Sequence, residues 1–299
     1  MNCIICSQPT TQLMARVVDS RTQEAFKIRW CPTCQHGVTE PVPANFDRFY
    51  GPSYYGNRHG RSLRWCNSRR ARWVQKVSPN GAGRLLDIGC GDGSFMRHMH
   101  ASGWSTFGVE RDIRAEVHGD LQVLPDLSAT LAHAPFDIIS LWHCLEHVPD
   151  PGDLIEQALG QLTPDGSILV AVPRWNCLAS RLFQGDWLHL DVPRHLHHFS
   201  DRSIKRLADQ RGATLHPMRA TEWEYDLMGW TQSTLNSLGL PPNRFLEHLM
   251  GRADLEPLGP VHRVLGYLLA GLALVPTFVG AGIGRGGTLV VQVQRRTLV

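Results

Sequence analysis

At 299 residues and 42% hydrophobic content, the chain can build one large domain or two smaller ones with a proper core. A formal charge of +3 is too small to point to nucleic acid through global electrostatics. The opening Met-Asn-Cys-Ile-Ile-Cys has no basic stretch followed by an apolar run, so a cytoplasmic compartment is expected.

Cys3 and Cys6 form one C-x2-C pair, and Cys31 and Cys34 form a second. Two such knuckles supply four thiolates for a tetrahedral Zn2+ with no open position, which is a structural site. Two disulfides or free thiols are the alternatives, the former disfavoured in a reducing compartment. Turn formers flank both pairs, and alternation around Leu13–Val18 and Ala25–Trp30 predicts a short hairpin between them. A small zinc ribbon is therefore expected over residues 1–40. Cys66, Cys90, Cys144 and Cys177 lack this spacing and read as core or loop thiols.

Pro41-Val42-Pro43 reads as a linker, followed by an aromatic turn segment from Phe49 to Gly56. A basic helix is predicted from Arg61 to Val77, with Arg64, Arg69, Arg70, Arg72 and Lys76 set against an apolar face of Cys66, Trp73 and Val77. Its charges read as a solvated face or as phosphate contacts. Residues 41–80 thus form a linker and N-terminal helix ahead of a domain over 81–299.

That domain is expected to hold strands at 85–88, 105–109, 121–124, 136–141, 167–172, 214–218 and 287–293. Helices are expected at 94–101, 152–162 and 201–211, the last capped at Ser200-Asp201. Alternating strands and helices imply an α/β fold with a parallel sheet wound on both faces. An insertion over 222–286 precedes the last strand. Within it, Val264 to Ile283 is free of charge over 20 residues, long enough to cross a membrane. If the flanking strands share a sheet, both ends lie on one side and a single crossing is excluded. A packed helical hairpin, a membrane-surface element at the inner face of the membrane, and an apolar lid remain open.

The narrowest clue is Leu85-Leu86-Asp87-Ile88 followed by Gly89, Gly91 and Gly93 and a helix from Ser94. Glycine lets backbone approach a ligand closely and adopt positive φ. A strand–loop–helix turn of this kind suits a small anionic or carboxylate-bearing ligand. No Gly-Lys-Ser/Thr ending is present, and the spacing G-x-G-x-G is not the dinucleotide G-x-G-x-x-G. Glu110 ends the next strand, where an acid can accept both hydroxyls of a ribose.

The G-x-G-x-G loop behind Asp87, the run Thr106 to Glu110, the strand Phe136-Asp137-Ile138-Ile139, the phrase Leu145-Glu146-His147-Val148-Pro149-Asp150-Pro151 and the stretch Leu162 to Ser167 occur in that order. Together they resemble the class I S-adenosylmethionine (SAM)-dependent methyltransferases. The resemblance implies a Rossmann-like seven-stranded sheet whose last strand inserts antiparallel, with the ribbon ahead of it and a helical insertion before that strand. It implies SAM as cofactor, held by Asp87, Gly89, Cys90, Gly91 and Gly93 at the loop and by Glu110 at the ribose. Asp126 and Leu127, or Asp120, would meet the adenine, and His143 would face the methyl donor. Residues 191–200, Asp-Val-Pro-Arg-His-Leu-His-His-Phe-Ser, are similar to the ubiquinone-biosynthesis O-methyltransferases. The cysteine knuckles and aromatic segment resemble sugar methyltransferases of antibiotic pathways. Their large C-terminal domain has no counterpart here, so sugar C-methylation is not expected.

The expected function is methyl transfer to a small-molecule acceptor, apolar, lipid-linked or saccharide-linked, at oxygen. A general base would come from His143, His147, His195 or His198, since imidazole is the side chain suited to proton transfer near neutrality. The histidine segment 187–198 has three readings: lining the acceptor pocket, hydrogen-bonding loops together, or holding a divalent metal with Asp191 or Glu146. The alternative function is an RNA-modifying methyltransferase that uses the ribbon and the basic helix. The strand ending Ser140-Leu141-Trp142-His143 lacks the Asn/Asp-Pro-Pro-Tyr phrase of exocyclic-amine methylases.

Overall fold

The computed structural model describes residues 1–50, 62–78, 81–113, 115–251 and 257–296. Residues 51–56 of the expected aromatic segment, and Arg61 at the expected start of the basic helix, lie outside them. The chain begins with strands β1 (Thr11–Val18), β2 (Ala25–Cys31) and β3 (His36–Glu40). Then come α1 (Leu63–Val77), β4 (Arg84–Ile88), α2 (Ser94–His100), β5 (Ser105–Val109), α3 (Ala115–His118), β6 (Gln122–Leu124) and β7 (Phe136–Trp142). They are followed by α4 (Pro151–Gly160), β8 (Leu162–Pro173), α5 (Leu178–Phe183), β9 (His197–His198), α6 (Asp201–Gln210) and β10 (Ala213–Pro217). The last elements are α7 (Trp223–Ser237), α8 (Arg244–Leu249), α9 (Pro260–Gly282) and β11 (Thr288–Arg295).

These elements pack into two units. One comprises Arg61–Val172, Lys205–Met218 and Val290–Val299, and the other Met1–Gly60, Pro173–Ile204 and Arg219–Leu289.

The first unit is built on a seven-stranded sheet in the order β10-β11-β8-β7-β4-β5-β6. β4 pairs parallel with β5 and β7, β5 with β6, and β7 with β8, while β10 and β11 are antiparallel. This is the seven-stranded Rossmann-like sheet that the resemblance implies, with β11 inserted between β8 and β10. Leu85, Leu86, Ile139, Leu141, Ile168 and Val170 are fully buried, as the near-continuous apolar runs of a covered parallel sheet require. β8 starts earlier than the sequence suggests. Phe136 pairs with Leu162, the register shifts, and Ile138 then pairs with Ser167. The turn-like Thr163–Gly166 stretch is absorbed as an irregularity inside the strand. A Cβ at Gly166 would lie 3.0 Å from the Phe136 carbonyl oxygen, so any larger residue there would press on the backbone of β7. The start of α4 is sharply set, because the Asp150 carboxylate accepts the Gly152 and Asp153 N–H groups and Pro151 occupies the first turn.

The second unit holds a four-stranded sheet in the order β1-β2-β3-β9. The expected hairpin is β1–β2, and it gains two further strands. β3 pairs antiparallel with β2 and, through Gly37↔His198 and Val38↔His197, with β9. The cysteine-bearing segment and the histidine segment are thus one sheet. Phe26, Ile28, Phe49, Trp187, Leu190 and Val192 form the core beneath it. The insertion forms α7, α8 and α9, with Leu235, Phe245 and Leu258 buried among Leu265 and Leu269. Its flanking strands β10 and β11 pair directly, so the apolar segment leaves and re-enters on one side of the sheet. Pro276 lies inside α9 without ending it, so the charge-free segment runs as one continuous helix as far as Gly282.

Candidate functional site

The glycine loop leaves the carboxyl end of β4. Gly89, Gly91 and Gly93 all have positive φ (73°, 59° and 70°), so their alternate spacing marks three backbone positions other residues adopt only with strain. The Gly89 and Cys90 N–H groups donate to the Val109 carbonyl at 2.8 and 3.1 Å, pinning the loop to β5. Glu110 follows Val109, and its Oε2 accepts the Gly91 N–H at 2.9 Å while Oε1 accepts the Arg111 N–H at 2.9 Å. His118 of α3 reaches the Gly91 carbonyl with Nε2 at 2.7 Å. Among the described residues, a Cβ at Gly91 would meet nothing within 4 Å, so the loop's middle has an open side.

Beneath the loop Asp87 is fully buried and accepts the Ser140 hydroxyl at 2.6 Å. Burial pushes its carboxyl up to about 7, against the opposing hydrogen bond from Ser140 and the charge of Arg70. Asp87 therefore braces β4 against β7. Cys90 is buried and its thiol is pushed up by burial, so its backbone is what it offers a ligand. Leu127 is buried, whereas Asp126 is exposed and its Oδ1 accepts from Ser128 Oγ and Ala129 N, which holds the carboxyl below its usual range. Asp120 is exposed.

β7 ends at Trp142, and His143 follows it. His143 has φ 52°, an uncommon conformation for a side-chain-bearing residue, and its N–H is held by the Ala171 carbonyl at 2.9 Å. Its Nδ1 lies 3.6 Å from Oε1 of Glu146, a carboxylate with no exposed surface. Sequence reasoning had offered Glu146 only as a metal ligand and missed it as the partner of His143; the spacing His-x-x-Glu ahead of Val-Pro-Asp-Pro was the available signal. It missed His118 altogether. His147 is partly buried, with its N–H donating to the Cys144 carbonyl at 3.0 Å.

The basic helix also departs from expectation. Arg69 and Arg70 are buried, neither solvated nor free for phosphate. Arg69 lies over the rings of Trp65 and Trp73 at 4.7 and 5.2 Å, and Arg70 over Trp142 at 5.0 Å. Indole faces hold these two guanidinium groups out of water, while Arg64, Arg72 and Lys76 stay exposed, as a solvated face requires.

A protein-family profile described as a methyltransferase domain matches residues 58–217, more than half of the chain. The chain belongs to that family. Among curated proteins it is similar to a ubiquinone biosynthesis O-methyltransferase of Ralstonia nicotianae, 24% identical over 186 residues, covering 57% of this chain and 78% of that one. A protein of the same name from Xylella fastidiosa is 28% identical over 177 residues, covering 53% and 72%. Among solved structures, a chain from the complex between the Haloferax volcanii Trm112 methyltransferase activator and a methyltransferase superposes with a TM-score of 0.51. It is 13% identical, with 87% of this chain and 99% of that one covered, and speaks to the fold. The protein is a class I SAM-dependent methyltransferase.

Two further groups of expected residues in the methyltransferase lie in the unit that carries the cysteines. In the histidine segment His195 Nδ1 meets the His189 carbonyl at 2.8 Å, and Thr39 Oγ1 donates to the His195 carbonyl at 2.7 Å. His198 Nε2 meets Thr39 Oγ1 at 2.9 Å, and His197 Nδ1 meets His36 Nε2 at 3.1 Å. Burial together with the charges of His197 and His198 holds His36 well below the ordinary imidazole range. Arg194 clamps the segment through Asp19 at 3.0 Å and the Phe49 carbonyl at 3.0 Å, with Asp191 as a second carboxylate partner. These contacts tie the segment to β3 and to the loops around Asp19 and Phe49.

Cys3, Cys6, Cys31 and Cys34 come together with their sulfur atoms within 4.8 Å of one another. The closest approaches are Cys3–Cys34 and Cys6–Cys31, both 3.4 Å. Ser7 and Gln35, one residue past each pair, have φ of 58° and 59°, and each donates its N–H back to the carbonyl of the first cysteine, Cys3 or Cys31, of its pair. Two equivalent turns thus present four thiols to one point. The hydrogen bond from Cys34 holds the Cys3 thiol down at about 5, while the same contact and burial push Cys34 up. A ready thiolate among four converging sulfurs fits Zn2+.

Proposed function

We propose that this methyltransferase moves the SAM methyl group to an oxygen of a small-molecule acceptor. The carrying observation is the pair His143–Glu146, held after β7 on the sheet edge where the glycine loop leaves the adjoining strand β4. Ligands of open α/β sheets sit at the carboxyl ends of the strands. The relatives named as ubiquinone biosynthesis O-methyltransferases support oxygen as acceptor atom.

In this reading the backbone of Gly89 to Gly93 holds the methionine end of SAM, Glu110 the ribose, and Asp126 with Leu127 the adenine. Bound SAM supplies a methyl group on a sulfonium, whose departure is an in-line displacement with a neutral leaving group. Much of the protein's work is then to position the acceptor. A hydroxyl acceptor loses its proton as the new C–O bond forms. His143 takes that proton, and Glu146 keeps the imidazole in one orientation. The other histidines considered, His147, His195 and His198, stand as alternatives for the same role.

The four cysteines would hold a structural Zn2+. An apolar or lipid-linked acceptor, with the enzyme cytoplasmic at the inner face of a membrane, belongs to the same reading. The burial of Arg69 and Arg70 against tryptophan rings takes two of the helix's five cations away from the phosphate contacts that the RNA alternative needs.

Incubation of the enzyme with methyl-labelled SAM and fractionated lysate tests the proposal. Label is expected in a small-molecule or lipid fraction, in a product stable to conditions that hydrolyse esters. Label confined to RNA would overturn it.

A further inference from the structure

The outward face of α9 is more apolar than its inward face. Gly266, Ala273, Thr277 and Gly280 are buried, while Val264, Leu268, Leu272, Val275 and Val279 are 50–69% exposed and recur at three- and four-residue steps. Phe278 and Ile283 are each 60% exposed beside them. A surface helix in water has the opposite arrangement. Seven such side chains, each leaving on the order of 100 Å² in water, exceed the roughly 300–600 Å² that is the largest patch of a typical monomer.

We propose that this face is a membrane-docking surface that lies in the plane of an anionic bilayer. The inference rests on the membrane placement in the proposed function and deepens it by naming the surface and the lipid charge, but it does not depend on the acceptor. Three observations choose lipid over a protein partner. From Val264 to Ile283 the exposed side chains offer one hydrogen-bonding group, the Tyr267 hydroxyl. A protein interface of this size carries several hydrogen bonds and a polar rim, whereas hydrocarbon asks for none. Cations bracket the stripe: Arg263 is exposed at its start, and Arg285, half exposed and sharing Asp201 at 3.8 Å, stands just past its end. Residues 257–299 contain no Asp or Glu at all, so nothing on this stretch repels anionic headgroups.

The pose is in-plane. α9 packs along α7, with Trp223 against Phe278 at 4.9 Å, and α8 meets it through Phe245 and Tyr267 at 5.4 Å. α7 carries Asp226, Thr231, Gln232 and Ser233, all buried within the same unit. A membrane-spanning pose would carry those groups into hydrocarbon, where unsatisfied polar atoms are costly. Lying flat, α9 immerses its outward face only.

Flotation of the whole 299-residue chain with phosphatidylcholine vesicles, with and without phosphatidylglycerol, tests this. The wild-type chain should float with the anionic vesicles and less with the neutral ones. The exposed double substitution Leu268→Glu, Leu272→Glu should weaken flotation by about tenfold or more. Arg263→Gln should weaken it roughly fivefold on anionic vesicles alone. Circular dichroism checks that both variants keep the fold, and Arg263→Gln decides if the double variant does not fold. A wild-type chain that stays with neither vesicle, or variants that float like it, overturns the proposal. So does a dimer in sedimentation equilibrium that the double variant dissolves while vesicles capture nothing, since the face would then belong to a second copy.

Discussion

Glu110 Oε2 accepts the backbone N–H of Gly91 at 2.9 Å, so the acid at the end of one strand braces the middle of the glycine loop after its neighbour. In the SAM reading the same carboxylate meets the ribose hydroxyls, and loop shape and ribose binding share one anchor. Glu110→Ala should therefore weaken SAM binding roughly 10- to 100-fold, as hydrogen bonds to charged groups contribute about 1.5–3 kcal/mol. Glu110→Gln keeps one acceptor oxygen and should lose less. Titration calorimetry reads both, and wild-type affinity in the alanine variant would remove Glu110 from the cofactor site.

The glycine loop was legible because its signal is local: three glycines at alternate positions after an apolar run need no tertiary information. The sheet followed for the same reason, as each strand carries its own apolar stretch. What escaped was decided by distant partners. β9 is two residues long, too short for periodicity to show, and exists because Gly37 and Val38 pair with it. Arg69 and Arg70 read as solvated because burial of a charge run depends on Trp65, Trp73 and Trp142 meeting it. The apolar run of α9 was visible, but which face would remain exposed depended on α7 and α8.

Asp226 carries a pH-dependent contribution to stability. It is buried, and its Oδ2 has no hydrogen-bond partner among the described residues. Burial raises its carboxyl to about 7, opposed by the Gly287 N–H and Arg174 and reinforced by the charge of Glu222. A folded pKa above the unfolded value means that the folded chain holds the proton more tightly. This stabilisation is full below about pH 4 and is lost as pH rises to about 7. Asp226→Asn removes the titration. Urea unfolding should show the variant gaining on wild type by on the order of 1–2 kcal/mol between about pH 5 and pH 7.5. A difference that stays flat across this range would show that Asp226 does not titrate there.

The cysteine centre predicts a metal. Protein purified without chelator should contain about one zinc per chain, and metal analysis finding none removes the site. Cys31 is fully buried and opens the second knuckle at the end of β2. Cys31→Ser should release the metal and lower the thermal midpoint by about 5 °C or more, because metal binding is coupled to folding of the β1-β2-β3-β9 sheet. Chelation of the wild-type protein should reproduce that loss, and added zinc should reverse it in wild type only.

The His143–Glu146 pair separates catalysis from binding. His143→Ala should lower kcat by about 10²- to 10⁴-fold, the range of general-base contributions, with a much smaller change in SAM affinity. Glu146→Gln leaves the imidazole in place but takes away the charge 3.6 Å from Nδ1, and should cost less than the loss of the imidazole itself. His198→Ala removes a ring already engaged with Thr39, and should act mainly on the stability of the β3–β9 pairing. His195→Ala is the informative control, because its Nδ1 is committed to the His189 carbonyl and its Nε2 lies 3.9 Å from Asp191. If His195→Ala abolished turnover with SAM binding intact while His143→Ala remained active, the base would be His195 and the role of His143 would be confined to the shape of the β7 terminus.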